Sequence, residues 1–488
     1  MKNYIVPARK RNIYIASFEK GLSRERSENV LPIKYAYDVS NFDYSKGALT
    51  RSLGFAPIYS ELAEIGTHTY PHSITNAVKM WFYRRFDPIQ NIRDDRIVFI
   101  TNEFRLFYFK VKGDRQVKPI TDKIYFTSVP SCLCYRYLSR DVLVLTSPTD
   151  NMVIVDDETI TAVVDAPKIT SMAIHYERLF ATVSGEASSV WFSDDFNPTN
   201  WTLSLSEAGF IEMLDERGRL LKVISFLDYL FVFREYGISR ITAFAEQTSY
   251  SVAQLFVSSG KLYDKTITLC GNKILFLSDD GFYVFDGLSS RSVLPEISEI
   301  IDVADRCFAK SSYSNGKYYI SCKIKSFELN NDVKTDVLIV IDTETMEFNI
   351  IKHTEILDIL QINSDDYSVS FCLAKTENNT SEILEINNTG CYNSVPLVKK
   401  WRSPFTDLSE PNKLKTLRSI SVCTSEDIKI IINSESESQV VFLKGSSGVS
   451  SALVCITGKR FGFEFVSTSL NPNISSPLLS FFVKETAL

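Results

Sequence analysis

Seven times along this chain, two short apolar strands flank a turn rich in Asp, Asn, Gly or Ser. The copies span residues 96–109 (RIVFITNEFRLFYF), 141–157, 178–195, 228–244, 273–287, a looser 317–351, and 368–386. Their spacing is close to the roughly 40–50-residue period of propeller blades. The turn chemistry suits hairpins: Asp279, Asp280 and Gly281 supply the positive φ that a tight reversal needs. A lone hairpin leaves an apolar face bare, and stacking such units around an axis buries those faces and shortens exposed edges. The chain is therefore expected to be all-β, a β-propeller of about six to eight blades. The number stays a range because no single residue recurs in every unit.

With 488 residues, the chain exceeds the size at which one core stops growing. Its 33 Phe and 23 Tyr suit pleated surfaces. Composition changes after Ser394, and strands at 428–434, 439–445, 452–458, 460–467 and 478–485 alternate between Ser, Gly and Asn turns. That pattern predicts a C-terminal β-sandwich over 399–488. The propeller is assigned to 61–398, and residues 1–60 to an N-terminal arm and first hairpin. Helical periodicity is confined to short connectors such as 295–303, where Pro295 suits a first turn.

The net charge is −6, from 53 basic against 59 acidic residues, which argues against wrapping nucleic acid through its phosphates. The basic N-terminus has no apolar segment after it and does not predict a secretory signal. No apolar run reaches the length of a membrane span; residues 223–233, broken by Ser225 and Asp228, read as two strands. The nine cysteines are scattered. Cys132 and Cys134 share one face of a strand in poor disulfide geometry, so reduced, mostly buried thiols are expected.

Catalytic signatures are absent. No GxSxG, Walker or GxGxxG sequence occurs. His68 and His72 lie four apart with Pro71 between them and no HExxH frame, and His175 and His353 stand alone. No catalytic residue, cofactor or metal is assigned, and the chain is expected not to be an enzyme. The paired carboxylates Asp94-Asp95, Asp156-Asp157, Asp194-Asp195 and Asp279-Asp280 read as turn residues, with a calcium site as the alternative. The segment SDDFNPTNW (193–201) resembles the Asp-box of sialidase-type propellers, a folding device away from the active site. It assigns Ser193, Asp195 and Trp201 to closing a blade hairpin, although Asn197 replaces the usual Gly and Trp201 is one residue late. Two basic clusters, Arg9-Lys10-Arg11 and Lys399-Lys400-Arg402, are candidate docking sites for an acidic partner.

Several segments together resemble tailed-bacteriophage propeller proteins. NFDYSKGALTRSLGF (41–55) is similar to their opening. RLFATVSGEASSVWFSDDFNPTNW (178–201) is similar to their signature blade, and LKVISFLDYLFVFREYGISRITAF (221–244) to the blade that follows. KLKTLRSISV (413–422) with GKRFGFEF (458–465) is similar to their closing sandwich. The group includes tail hub, packaged-DNA stabilisation and tail nozzle proteins. The resemblance implies a structural virion protein, assembled in host cytoplasm and built with other copies into a ring, commonly a hexamer, below the portal. Its partners would be the portal or adaptor and the tail fibres or needle. DNA would pass through without specific binding. The alternatives are a glycan-binding or glycan-cleaving propeller at the tail tip, and a non-viral protein-interaction propeller. The missing Trp-Asp repeat counts against the last.

Overall fold

The computed structural model describes residues 9–484 apart from 16, 19–20, 24–30, 45, 59–63, 66–67, 70–75, 88–90, 114, 204–206, 215, 245–246, 326–333, 353–354, 365–366 and 377–379. His72 and His353 lie outside the described residues.

Seven sheets follow one another along the chain as blades, antiparallel except where Cys391–Tyr392 pairs with Gly54–Pro57 in the last. Blade 1 comprises Ala77–Asp87, Ile92–Thr101, Leu106–Lys110 and Lys118–Pro119. Blade 2 comprises Ser131–Tyr137, Arg140–Thr146, Met152–Asp156 and Thr159–Val163. Blade 3 runs Ile169–His175, Arg178–Val183, Ser189–Phe192 and Gly209–Glu212. Blade 4 runs Leu220–Phe226, Tyr229–Arg234, Gly237–Thr242 and Ser251–Val257. Blade 5 is Thr268–Cys270, Lys273–Ser278, Gly281–Phe285 and Ser290–Val293. Blade 6 is Lys310–Ser314, Lys317–Lys325, Lys334–Asp342 and Phe348–Lys352.

Blade 7 differs. It takes Ile356–Ser364, Tyr367–Lys375 and Ser381–Asn387 in order, then pairs the last of these with Gly54–Pro57 from near the N-terminus. The first strand of each blade is innermost. That of blade 7 packs against those of blades 6 and 1, so the circle closes. The chain is thus a seven-bladed propeller whose last blade is completed by the N-terminal segment.

Side-chain alternation explains the stacking. Within Arg178–Val183, every residue is buried. Leu179 and Ala181 face blade 2 beside Val142 and Val144, whereas Phe180 faces blade 4 beside Val223 and Val232. In blade 6, Tyr318 joins the core shared with blade 5, and its neighbour Tyr319 joins the core shared with blade 7. Each fully buried Leu, Ile or Phe contributes about 1.5–3 kcal/mol relative to exposure. The two short helices, Pro295–Ile300 and Val303–Arg306, connect blades 5 and 6.

The sandwich draws strands from both ends of the chain. One sheet orders Phe42–Asp43, Leu49–Arg51, Asn473–Val483, Lys415–Thr424 and Val449–Gly458, with Arg9–Tyr14 also paired to Asn473–Val483. The other orders Asp38–Ser40, Lys399–Arg402, Phe461–Ser467, Ile428–Ser434 and Ser438–Leu443. The described residues between 9 and 57, assigned from the sequence to an arm and first hairpin, supply sandwich strands and then the closing strand of blade 7. Phe18 meets Trp401 edge to face, with ring centroids 4.9 Å apart, at the centre of the sandwich. The sandwich core is continuous with that between blades 5 and 6.

Asn41 fastens the two units. It is buried with φ of 59°, a conformation Asn tolerates. Its side-chain amide donates to Lys352 O (3.1 Å) and Val398 O (2.8 Å), and its carbonyl accepts from Lys352 N (2.9 Å). Its own N–H donates to Ile350 O at 2.8 Å. All nine cysteines are unbonded to one another; Cys270, Cys322, Cys372 and Cys391 are buried, and Cys307 and Cys455 exposed. Among the described residues, no helix is long and apolar enough to cross a membrane.

Two stability tests follow from these contacts. A Cβ on Gly54 would lie 2.8 Å from both Asn387 Oδ1 and the Cys391 backbone N, and closer still to Thr389 Oγ1. Gly54→Ala should lower stability by about 1–3 kcal/mol in chemical denaturation. Gly448→Ala, whose added Cβ meets nothing within 4 Å, should stay within about 0.5 kcal/mol of the parent. Equal midpoints for the two would show that the closing strand does not hold blade 7. Asn41→Ala should cost about 1–3 kcal/mol, because it leaves partly buried backbone groups of Lys352 and Val398 without their partner; an unchanged melting temperature would refute the fastening role.

Candidate functional site

The residues singled out by sequence are scattered. Arg9 and Lys10 are exposed on the strand Arg9–Tyr14, while Arg11 pairs with Glu410 at 2.8 Å. The second basic cluster is structural. Lys399 is fully enclosed, its ammonium donating to Leu397 O (3.1 Å) and Ser469 O (2.9 Å), and burial holds its pKa below the usual lysine range. A partner cannot reach it, because strand alternation turns it inward beside Trp401. Lys400 pairs with Glu464 (3.3 Å) and Asp38 (3.9 Å), and the Arg402 guanidinium lies over the Tyr37 ring at 4.8 Å.

The Asp-box-like segment lies between the third and fourth strands of blade 3. Ser193 Oγ accepts from Leu179 N (3.1 Å), and Trp201 is buried between blades 2 and 3 with its indole N–H on Pro198 O (2.9 Å). The carboxylate that clasps the loop belongs to Asp194. It accepts from Asp195 N (3.1 Å), Glu207 N (3.0 Å) and Asn200 Nδ2 (3.0 Å). Asp195 instead pairs with buried Arg178 at 2.8 Å. Arg178 also donates to Ser193 O (3.3 Å) and Glu207 O (2.7 Å), so it organises the loop. Its place at the start of an apolar strand was the only sequence signal.

Among the described residues, His175 and the paired carboxylates are engaged in contacts within and between blades. His175 Nδ1 shares a hydrogen bond with Ser225 Oγ (2.9 Å) across blades 3 and 4. The ring is buried, its Nε2 has no hydrogen-bond partner, and burial lowers its pKa. Asp94 and Asp157 are neutralised by Arg96 at 2.5 and 2.7 Å, with Arg85 beside them. Among the described residues, no group of three or more His, Cys, Asp or Glu could hold a metal ion.

One cavity gathers residues from six blades and from the turn Asp264–Thr266 that leads into blade 5. It lies where the innermost strands meet, has a volume of about 710 Å³, and is lined by residues on or beside those strands and by Tyr319, Ser321 and Leu338 from the second and third strands of blade 6. Its charged groups are Lys79, Lys222, Lys265, Lys310, Asp264 and Asp358. Ser131, Thr170, Ser171, Ser311, Ser312 and Ser321 add hydroxyls. The backbone explains how several of these reach it. The pairing register slips between Ala77 and Lys79, Ile169 and Ser171, Leu220 and Lys222, and Ile356 and Asp358. Four blades thus carry a bulge at the same point of the innermost strand, and a bulge re-aims the side chains beside it.

Lys79 pairs with Asp358 at 2.6 Å, and Asp358 also accepts from Met80 N at 3.1 Å. Lys222 donates to Ile267 O at 2.6 Å, bridging blade 4 to the start of blade 5. Burial first, and then the positive charge of Lys79, pushes its pKa down to about 8. Burial also lowers Lys310, helped by Lys265 and Lys79 and opposed by Glu355. Lys265 is exposed and has no ion-pair partner among the described residues. No sequence motif marks this set; only its recurrence near the start of innermost strands could have signalled it.

No protein-family model matches the chain, and no curated protein matches it significantly. Among solved structures it is similar to PorZ, described as an essential bacterial surface component of the type-IX secretion system of Porphyromonas gingivalis. The identity is 13% and the TM-score 0.37, over 76% of this chain and 46% of that one, so the chain spans less than half of PorZ. It is also similar to Hsv2 of Kluyveromyces lactis, at 10% identity and a TM-score of 0.33, over 57% of this chain and 85% of that one.

Proposed function

We propose that this chain is a structural ring component of a phage tail, a hub, adaptor or nozzle subunit that closes or extends the DNA channel below the portal and docks distal tail parts. The proposal rests on assembly rather than turnover. One observation carries its lateral-contact part. Ser438–Leu443 and Val449–Gly458 are the last strands of the two sandwich sheets and lie next to each other. Neither contains a charged residue or a proline. They turn Val440 (44% exposed), Phe442 (75%), Val449 (64%) and Leu453 (87%) to solvent. Soluble proteins normally blunt sheet edges with Lys, Pro or covering loops, because open edges pair with other chains. An uncharged apolar edge fixed to a stiff closed ring of blades suits head-to-tail contacts that close a cycle. The likeness of segments 41–55, 178–201, 221–244, 413–422 and 458–465 to tailed-phage propeller proteins supplies the biological setting.

Sedimentation and light scattering test the assembly. The parent protein should form a closed oligomer of several copies. Phe442→Lys combined with Leu453→Lys should give a monomer with unchanged circular dichroism and melting temperature. A parent that stays monomeric at every concentration, and shows no ring in negative-stain images with or without phage portal, would overturn the proposal.

A further inference from the structure

We propose that the axial cavity is a binding site for a small multivalent oxyanion, a phosphorylated or sulfated compound, held by Lys79, Lys222, Lys265 and Lys310. The inference does not depend on ring assembly; the cavity lies where the innermost strands of a single propeller meet, not in the lumen of a ring.

Three observations converge on it. The first is charge. Four lysines face two carboxylates, Asp264 and Asp358, in one cavity. Asp358 is already engaged by Lys79 at 2.6 Å, and the ammonium of Lys222 makes its one hydrogen bond among the described residues to a neutral carbonyl, Ile267 O. The nearest acid to Lys310, Glu355, stands 3.9 Å away and also pairs with Lys375 at 3.3 Å. Like charges gathered inside low-dielectric walls raise each other's free energy, and an anion relieves that cost. The second is hydrogen bonding. The hydroxyls of Ser171, Ser312 and Ser321, from blades 3 and 6, supply neutral donors, the usual complement to lysine at an oxyanion site, whereas Ser131, Thr170 and Ser311 already donate to backbone carbonyls. The third is backbone. Four bulges coincide with the cavity, and two of them present Lys79 and Lys222. A packing role alone would not need the same irregularity in four separate blades. At about 710 Å³ the space suits a compact organic ligand and is too large for a single inorganic ion to fill.

The lowered pKa of Lys222 gives the site a pH signature. The groups around it are Lys79, Asp264 and Cys270, with Lys79 disfavouring its charge and the other two favouring it. Below a pH of about 8 the amine is protonated and attracts the anion; above it the attraction fades.

Isothermal titration calorimetry of the full chain provides the test, with inorganic tripolyphosphate in one arm and a sulfated disaccharide in the other. Binding with one site per chain in either arm is expected, and the tighter arm assigns the class. Lys222→Met with Lys310→Met should weaken it about tenfold or more, the loss expected for removing charge-assisted hydrogen bonds. Asp358→Asn should strengthen it, since it removes a competing carboxylate and frees Lys79. Affinity should fall between pH 7.0 and 9.0 for the parent, and less so for Lys222→Met. If the double variant does not fold, Lys265→Gln, an exposed change, should still weaken binding. No heat in either arm at millimolar anion, or binding that ignores all these substitutions, would overturn the proposal.

Discussion

Middle strands buried on both faces need a neighbour on each side, and a row of blades can satisfy that need at its ends only by closing on itself. Here the closure is made by non-adjacent parts of the chain. Gly54–Pro57 pairs with Ser381–Asn387, and the innermost strand of blade 7 packs beside that of blade 1. Ile97, Phe99 and Phe109 of blade 1 then share a core with Ile362, Phe371 and Leu373 of blade 7. Without that seam, two sheet faces lined with Phe and Ile would meet water, at a cost of several kcal/mol. The closing strand arrives with no side chain at its first position because the loop at Asn387, Thr389 and Cys391 leaves no room for one.

The same N-terminal segment ties the propeller to the sandwich. Before reaching blade 7 it supplies Asp38–Ser40, Phe42–Asp43 and Leu49–Arg51 to the two sandwich sheets, and Asn41 between them bonds to the last strand of blade 6. A single run of residues therefore closes the ring and anchors the appended unit. The shared core beneath blades 5 and 6 makes the sandwich an extension of the propeller rather than a tethered module. It also fixes the outward apolar strands at one flank of the sandwich, where a neighbouring copy could meet them.

The axial cavity has a different physical origin. Close packing in the interblade cores leaves no space there, but seven innermost strands meeting around an axis leave a gap that side chains must line. Apolar side chains such as Leu221, Leu338 and Ile359 line part of it, and lysines and hydroxyls share it with them, several at points where bulges interrupt the ladder. The tension between lysine charge and partial burial is concentrated at Lys222 and Lys310.

The recurring hairpins visible in the sequence are the second and third strands of the blades, the sixth copy also reaching the fourth strand Phe348–Lys352. They were legible because burial on both faces makes them continuous apolar runs, as in Arg178–Val183 or Lys273–Ser278. The sandwich strands were legible for a related reason: Ile428–Ser434 alternates buried and half-buried residues with period two. First and fourth strands were not, since Thr159–Val163 is largely exposed and Ala77–Asp87 mixes Lys and Arg with Trp and Phe. Lys399 looked like a surface charge, and only the position of its strand in the middle of a sheet shows it enclosed. Likewise no local pattern joins Lys79, Lys222 and Lys310, which come from three different blades. Local burial period determined which segments become strands. Tertiary structure alone decided where the circle closes and which charges share its axis, because those contacts link residues hundreds of positions apart, and sequence periodicity carries no information at that range.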